Sequence, residues 1–281
     1  MNKLKINESD VLDSTIPPLI KWTGSKRSQA FQIFKLFPKR INKYYEPFVG
    51  SGALLYLLTN RQCIACDIYP PLIKLWNFVK NKPLVLINNY RSQWEKLQKE
   101  LPDYFYLVRK RFNATQNPLD LNFLLRTCVN GIVRFNRKGH FNNSFHLSRK
   151  GMHPDRFEGI VNDWNSKTKN ISFYCQDYLD TVNISRGGDF VYLDPPYQGS
   201  KNRYTNNLDT KRMFEALEML NKKNVKWALS FDGKRNGVLL GDPVPKDIYK
   251  RHIYIKSGFS PVKKVLSGPI EMVEESLYLN Y

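Results

Sequence analysis

The chain contains Phe190-Val191-Tyr192-Leu193-Asp194-Pro195-Pro196-Tyr197, a stretch that predicts both the fold class and the position of the functional site. Its first four residues are apolar with no polar alternation, as in a strand buried on both faces of a parallel sheet. The two prolines end the strand because neither has a backbone N–H to donate, and Asp194 is held extended before them. Since open α/β sheets bind ligands at the carboxyl ends of their strands, we expect a rigid lip beside a binding crevice.

The residue types at 194–197 suit a planar ring that carries an amino group. The Asp194 carboxylate and a proline carbonyl can each accept a hydrogen bond from an exocyclic NH2, and Tyr197 can stack on the ring. Asp-Pro-Pro followed by an aromatic also occurs in ordinary turns. These four residues alone therefore leave both interpretations open.

Composition favours a globular protein with a polyanionic partner. The 281 residues are 42% hydrophobic, which allows one or two domains, and 44 Lys+Arg against 25 Asp+Glu give a formal net charge of +19. Such a charge favours a nucleic acid, although a generally basic protein from an AT-rich genome has a similar composition. The sequence contains neither an apolar run of membrane-spanning length nor a signal-peptide core near its start, so no membrane partner is expected.

The cysteines predict neither disulfides nor a metal site. Cys63 and Cys66 form a single C-x-x-C within an apolar strand pattern, where we expect them to be small buried thiols. His140, His146 and His153 lack metal-ligand spacing, so we expect no metal. Four cysteines without a disulfide framework indicate a reducing compartment, the cytoplasm of a bacterium or of a phage host.

A second site signal is the glycine loop after a predicted strand at 44–46. Gly50 and Gly52 let the backbone approach a ligand, and apolar residues at 53–58 predict a helix whose first N–H groups are free. The strand at 63–66 then ends at Asp67, an acid placed to bind a ribose diol. A nucleoside cofactor is predicted, whereas the missing Gly-Lys-Ser/Thr argues against a triphosphate-binding loop.

A third signal follows the predicted strand at 171–175. Asp177 can accept a hydrogen bond from an adenine amino group while Tyr178 lies on the ring, or the pair can be a helix cap beside a core tyrosine. Further on, residues 249–255 and 272–281 read as two strands that form an antiparallel hairpin at the sheet edge.

Residues 83–164 have helical patterns without β-α alternation and include a basic, aromatic and amide-rich segment at 130–143. Arg can pair with guanine, Asn with adenine and Lys with phosphates, and the aromatics can wedge into a base step. A solvated basic hairpin with its aromatics packed underneath is the alternative. The candidate DNA-binding residues are Asn130, Arg134, Asn136, Arg137, Lys138 and Asn142.

Together these segments resemble the Dam-like, alpha-class adenine-specific DNA methyltransferases, in family order. The matching stretches are Lys21-Trp22-Thr23-Gly24-Ser25-Lys26, Glu46-Pro47-Phe48-Val49-Gly50-Ser51-Gly52, Asp67-Ile68, Gln176-Asp177-Tyr178 and Asp194-Pro195-Pro196-Tyr197, with 130–136 similar to the family's DNA-contacting hairpin. One departure is Val129, which stands where Dam has an aromatic just before the Asn of that hairpin.

The resemblance implies an α/β methyltransferase sheet of Rossmann-like type flanked by helices, with a mainly helical DNA-recognition insertion. It implies a catalytic domain at 15–82 and 165–281 and a target-recognition insertion at 83–164. It also implies S-adenosyl-L-methionine as cofactor, double-stranded DNA as partner and a monomer. By resemblance, the catalytic residues are Asp194, Pro195, Pro196 and Tyr197, and the cofactor-binding residues are Trp22, Lys26, Phe48, Gly50, Ser51, Gly52, Asp67, Ile68, Asp177 and Tyr178.

The implied activity is methyl transfer to the exocyclic N6 of a flipped adenine, in a restriction–modification system or as a solitary or phage methylase. The alternatives are methylation of cytosine N4 or of RNA, whose enzymes more often carry Ser at position 194 or an Asn-Leu-Pro-aromatic motif. A DNA-binding relative without activity is the alternative from another class of protein.

Overall fold

The computed structural model describes residues 16–58, 61–196, 208–235, 238–240, 243–259 and 272–281. Its strands are β1 (Tyr44–Glu46), β2 (Cys63–Asp67), β3 (Ile171–Cys175), β4 (Phe190–Leu193), β5 (Lys226–Arg235), β6 (Val238–Leu240), β7 (Arg251–Phe259) and β8 (Met272–Leu279). Its α-helices are α1 (Ala30–Lys35), α2 (Pro70–Asn81), α3 (Pro83–Lys99), α4 (Asp103–Thr115), α5 (Pro118–Thr127), α6 (Pro154–Lys167), α7 (Tyr178–Ile184) and α8 (Thr210–Lys222).

The strands form one mixed sheet in the order β3-β2-β1-β4-β5-β8-β7, with β6 paired to β5. Strands β1 to β5 run parallel, and β8 lies antiparallel between β5 and β7. The predicted α/β sheet and the antiparallel pairing of the last two strands are thus confirmed. The strand order reverses between β1 and β4, and this switch point is where such sheets open a ligand crevice.

The predicted burial of β4 on both faces is confirmed. All four of its residues are buried. Phe190 and Tyr192 belong to one hydrophobic cluster and Val191 and Leu193 to the other, because successive side chains of a strand point to opposite faces. This double packing explains the apolar run without polar alternation.

The helical segment α3–α6 shares a core with the sheet. The ring of Trp76 on α2 stacks on Phe173 of β3, with centroids 5.2 Å apart, and lies 5.1 Å from the ring of Trp164 on α6. One buried cluster therefore continues from the sheet through α2 into the helices. The proposed division of the chain at residues 83 and 164 stays a prediction.

The helix predicted at 53–58 is wrong. Leu55–Leu57 form a single 3-10 turn, in which the N–H groups of Leu57 and Leu58 donate to the carbonyls three residues earlier. The turn winds tightly over Trp76, whose ring lies against Gly52. Residues 53–58 therefore do not form the predicted α-helix after the glycine loop.

Among the described residues, each helix is too short or too polar to cross a membrane.

Candidate active site

A cavity of about 600 Å³ opens at the carboxyl ends of β1, β2 and β4, within the size range of small-molecule sites. Most residues predicted from sequence for the catalytic and cofactor sites line it: Trp22, Lys26, Phe48, Gly50, Ser51, Asp67, Ile68, Asp177, Tyr178, Asp194, Pro195 and Pro196. Gly52 lies behind the loop, against Trp76. Tyr197 lies outside the described residues.

Asp194 follows β4 and forms an ion pair with Lys26. Lys26 Nζ lies 2.8 Å from Asp194 Oδ1, 3.2 Å from Glu275 Oε2 and 3.4 Å from the Gly24 carbonyl oxygen. The exposed fraction of the Lys26 side chain is only 5%. Lys26, predicted to bind the cofactor, thus contacts the candidate catalytic acid directly.

Burial raises the pKa of Asp194 to about 6, while Lys26 acts against that rise and Glu275 adds to it. The carboxylate is therefore charged at neutral pH but more basic than a solvated aspartate. A charged, desolvated oxygen is a strong hydrogen-bond acceptor, which is the property that recognition of an amino group requires.

The glycine loop has the backbone that its sequence predicts. Gly50 has φ +45°, and a Cβ there would lie 3.0 Å from Cδ1 of Trp22, while a Cβ on Gly52 at φ +65° would lie 2.8 Å from the Trp76 ring. Trp76 Nε1 also donates to the Gly50 carbonyl at 3.1 Å. The loop thus presents bare backbone to the cavity in a conformation that favours glycine.

Asp67 at the end of β2 lies across from this loop. Its Oδ1 accepts from the Tyr69 N–H at 3.0 Å, and its Oδ2 accepts from the Gly50 N–H at 3.4 Å. Burial raises the pKa of Asp67 to about 6, and these backbone donors partly offset the rise. A charged carboxylate held by backbone donors still has lone pairs for further donors.

Glu46 at the end of β1 is a buried acid that the sequence analysis did not assign a role. It is 4% exposed, lines the cavity and accepts a hydrogen bond from the Tyr44 hydroxyl at 2.8 Å. Burial raises the pKa of Glu46 to about 8, so the group is mostly protonated at neutral pH.

Asp177 and Tyr178 lie at the start of α7, with Tyr178 stacked on Phe48 at 5.4 Å between ring centroids. Asp177 caps the helix by accepting from the Leu179 N–H, which is the alternative reading of this pair. Its carboxylate also accepts two hydrogen bonds from Arg212, whose guanidinium lies 5.2 Å from the Tyr178 ring centroid.

The segment at 130–143 is a small hairpin beside the cavity. Residues 135 and 141 form a bridge, and the exposed Arg134 donates to the Asn142 side-chain oxygen at 2.9 Å. Asn136 uses its side-chain oxygen to accept from the backbone N–H groups of Lys138 and His140. Asn130 adopts φ +56° and, like Asn136, Arg137 and Lys138, is exposed.

The proposed wedging aromatics of this hairpin are wrong for Phe135 and Phe141. They are 5% and 1% exposed and pack edge to face against each other. Phe135 also contacts Tyr69 and lines the cavity. The aromatics therefore form the underside of the hairpin and connect it to the cavity, while its cations face outward.

The four cysteines are free thiols, three of them buried and Cys175 exposed. No group of three or more His, Cys, Asp or Glu side chains in the described parts of the chain is arranged to hold a metal ion.

This geometry agrees with a family match over most of the chain. Residues 22–264 match the D12 class N6 adenine-specific DNA methyltransferase model. The chain belongs to this family.

Relatives of this D12-class chain include methylases of two kinds. It is 32% identical over 184 residues to a DNA adenine methylase of Haemophilus influenzae, and the aligned region covers 64% of this chain and 63% of that relative. It is 31% identical over 245 residues to the type II methyltransferase M.MjaIII of Methanocaldococcus jannaschii, covering 76% and 84%. With M1.LlaDCHI of Lactococcus lactis, the identity is 28% over 207 residues, covering 70% and 69%.

Sequence reasoning missed several residues of the site. Arg212 and Glu275 reach it from α8 and β8, and Tyr69 and Phe135 line its wall. Helical spacing on α8 predicts only its apolar face, so no local signal points to Arg212. Glu46 stands inside a recognised motif, and its position as the last residue of a predicted strand was the usable signal.

Proposed function

We propose that this chain transfers a methyl group from S-adenosyl-L-methionine to the exocyclic N6 of an adenine flipped out of double-stranded DNA. The observation that carries the proposal is the Asp194 carboxylate, held at the end of β4 by Lys26 at 2.8 Å inside a cavity that a glycine loop borders. Family membership supports the same reaction.

The residues of the cavity fit the cofactor. Gly50 borders the cavity with backbone alone, because a Cβ there would collide with Trp22, and Gly52 packs behind it against Trp76, so the loop can approach a bound group closely. Asp67 offers carboxylate oxygens suited to the ribose diol, and Phe48 and Tyr178 offer a stacked aromatic surface for the adenine ring. Trp22, Ser51 and Ile68 complete the proposed cofactor wall.

Bound S-adenosylmethionine supplies an electrophilic methyl group on a sulfonium. The protein must make the adenine amino group a better nucleophile, because its lone pair is delocalised into the ring. In the proposed reaction Asp194 and the Pro195 carbonyl accept hydrogen bonds from its two N–H groups, so that the lone pair turns toward the methyl group. As the nitrogen–carbon bond formed, the carbon–sulfur bond would break to leave a neutral thioether, and the cationic amino nitrogen would then release one proton to Asp194 or to water. Pro196 holds the lip, and Tyr197 is proposed to stack on the base.

The target base must leave the duplex, since its amino nitrogen is otherwise stacked and paired. We propose that the hairpin positions the DNA, with the exposed Arg134 and Asn130 and the half-buried Asn142 nearest the bases and the exposed Arg137 and Lys138 on phosphates. Asn136 holds the hairpin tip. Residues 83–164 are the proposed recognition insertion, and 15–82 with 165–281 the proposed catalytic domain.

The biological role is proposed to be modification in a restriction–modification system or solitary methylation. The relatives include both type II methyltransferases and DNA adenine methylases. We propose that the chain acts as a monomer in the cytoplasm, where duplex DNA is accessible.

The test is tritiated-methyl transfer to duplex DNA followed by nucleoside analysis. N6-methyladenine is expected, and Asp194→Asn should reduce transfer about a hundredfold or more while cofactor affinity changes little. Asp247→Asn, on an exposed loop, is the matched control. Label in cytosine, transfer to RNA only, or no transfer with intact DNA binding would each replace the proposal with one of its alternatives.

A further inference from the structure

A third charged group reaches the Lys26–Asp194 pair from β8. Glu275 Oε2 lies 3.2 Å from the same Lys26 nitrogen that pairs with Asp194 at 2.8 Å. The exposed fractions of the Lys26, Asp194 and Glu275 side chains are 5%, 17% and 20%. Charges held this far from water need their partners, because an unpaired buried charge is costly.

The backbone that carries Glu275 is fixed on both sides. Strand β8 lies between β5 and β7, where Glu275 stands opposite Gly233 and Ile255. The register of β5 against β8 shifts between Ser230 and Gly233, and a Cβ on Gly233 would collide with the Glu274 carbonyl oxygen. The two backbones therefore approach closely at a bulge beside the site, which re-aims side chains there.

The balance of charges explains what a second carboxylate does for Asp194. A lysine that pairs with Asp194 alone would neutralise it and weaken it as an acceptor for the target amino group. Lys26 lowers the pKa of Asp194 and Glu275 raises it. The other acid that faces Asp194 is Glu46, whose pKa of about 8 leaves it mostly neutral. Glu275 is thus the carboxylate that offsets the charge of Lys26.

We propose that Glu275 is a positioning residue for methyl transfer, one that holds the Lys26 ammonium on Oδ1 of Asp194 and offsets its charge. Asp194 then meets the target amino group as a strong acceptor in a fixed orientation. Glu275 acts through Lys26 and not on the substrate. This inference rests on the proposed function, because the step that it serves is the methyl transfer.

The experiment compares Glu275→Gln with Glu274→Gln. Each substitution removes one carboxylate from β8 and replaces it with an amide of nearly the same size. Glu274 is the control because adjacent residues of a strand face opposite sides of the sheet. The single-turnover rate of methyl transfer is measured against pH with cofactor and DNA saturating, and cofactor affinity is measured by calorimetry.

We expect Glu275→Gln to slow the single-turnover step about tenfold with cofactor affinity changed less than about threefold, and Glu274→Gln to match the wild type. Because Glu275 raises the pKa of Asp194, its loss lowers that pKa, and the acid limb of the rate profile moves to lower pH. The inference would be overturned if the single-turnover rate of Glu275→Gln lay within about twofold of the wild-type rate. It would also be overturned if cofactor affinity fell by the same factor as the rate.

Two further measurements make the result specific. If Glu275 acts through Lys26, then adding Glu275→Gln to Lys26→Gln causes little further loss, whereas additive losses contradict the inference. A carbon-13 NMR titration of Asp194 follows its pKa without any turnover, and an unchanged pKa in Glu275→Gln contradicts the inference as well. This titration separates the two proposals, since it remains readable even in a wild-type protein that methylates no DNA.

Discussion

Arg212 on α8 donates a hydrogen bond from each of its two terminal nitrogens to the carboxylate of Asp177, at 3.1 and 3.2 Å, while its guanidinium lies over the ring of Tyr178. The pair is partly exposed, since the Arg212 and Asp177 side chains are 45% and 29% accessible. Arg212 therefore covers the two residues proposed to bind the adenine ring of the cofactor.

Arg212→Ala is expected to tighten cofactor binding. An adenine amino group competes with Arg212 for Asp177, and breaking a partly exposed ion pair costs at most about 1 kcal/mol, or about fivefold in affinity. Calorimetric titration with S-adenosylmethionine measures this, with Lys211→Ala on the same helix turn as control. An affinity lowered severalfold in Arg212→Ala would mean that Arg212 itself contacts the cofactor.

Gly50→Ala and Gly52→Ala are each expected to lower the free energy of unfolding by about 1–3 kcal/mol, because φ is positive and the new Cβ meets a tryptophan ring. Gly50→Ala should also weaken cofactor binding, since Gly50 lines the cavity. Urea denaturation and calorimetry measure the two effects.

The control for these variants is Gly159→Ala on α6, where an added Cβ meets no heavy atom within 4 Å. Replacing a helical glycine of ordinary backbone geometry should stabilise the protein by about 0.5–1 kcal/mol. Equal stability losses in all three variants would contradict a special role for the glycine loop.

Glu46→Gln is expected to make stability less dependent on pH. The pKa of Glu46 is about 8 in the folded protein against an ordinary 4.5, so the folded state holds a proton that the unfolded chain releases between these values. The contribution of Glu46 to the free energy of unfolding of the wild type is therefore fully present below pH 4.5 and is lost as the pH rises through 8.

Urea denaturation of the protein without cofactor at about pH 5 and about pH 9 tests this, and Glu46→Gln should gain a few kcal/mol over the wild type only at the higher pH. Glu218→Gln, exposed on α8, is the control. A pH-independent difference between Glu46→Gln and the wild type would show that Glu46 is ionised in the folded state at both pH values.

The double variant Arg137→Ala/Lys138→Ala is expected to bind duplex DNA more weakly and with less salt dependence. Loss of two phosphate contacts lowers the slope of log affinity against log salt concentration by about 2. Fluorescence anisotropy over a salt series measures the slope.

Lys39→Ala/Arg40→Ala removes the same charge from exposed residues that precede β1 and do not line the cavity. Its salt slope should equal that of the wild type. If the two double variants shift the slope equally, the effect belongs to net charge and not to the hairpin.

The parts of the site that sequence predicted are those with local signals. The apolar run at 190–193 followed by two prolines predicts β4 and its rigid end, and Asp67 is the last residue of a short apolar strand. Because strand ends of a parallel sheet converge, such local patterns also predict that Asp67 and Asp194 share one cavity, as the structure shows.

The parts that sequence missed depend on contacts between distant segments. Lys26 meets Glu275 only because β8 inserts between β5 and β7, an order that hydrophobic patterns do not determine. The helix wrongly predicted after Gly52 has the apolar spacing of a helix, but the segment forms a 3-10 turn next to the Trp76 ring that packs against Gly52. Periodicity alone does not distinguish these two forms in so short a segment.

The ring contact between Trp76 and Trp164 bears on how DNA specificity can change within this family. Trp76 precedes the proposed recognition insertion in the chain, and Trp164 is its last residue. A graft of residues 83–164 from another methylase would place a foreign surface against Trp76, beneath the loop that Trp76 holds through the Gly50 carbonyl. The unit that can be exchanged intact therefore includes α2, and new sequence preferences are best sought by mutating the hairpin rather than by swapping the whole insertion.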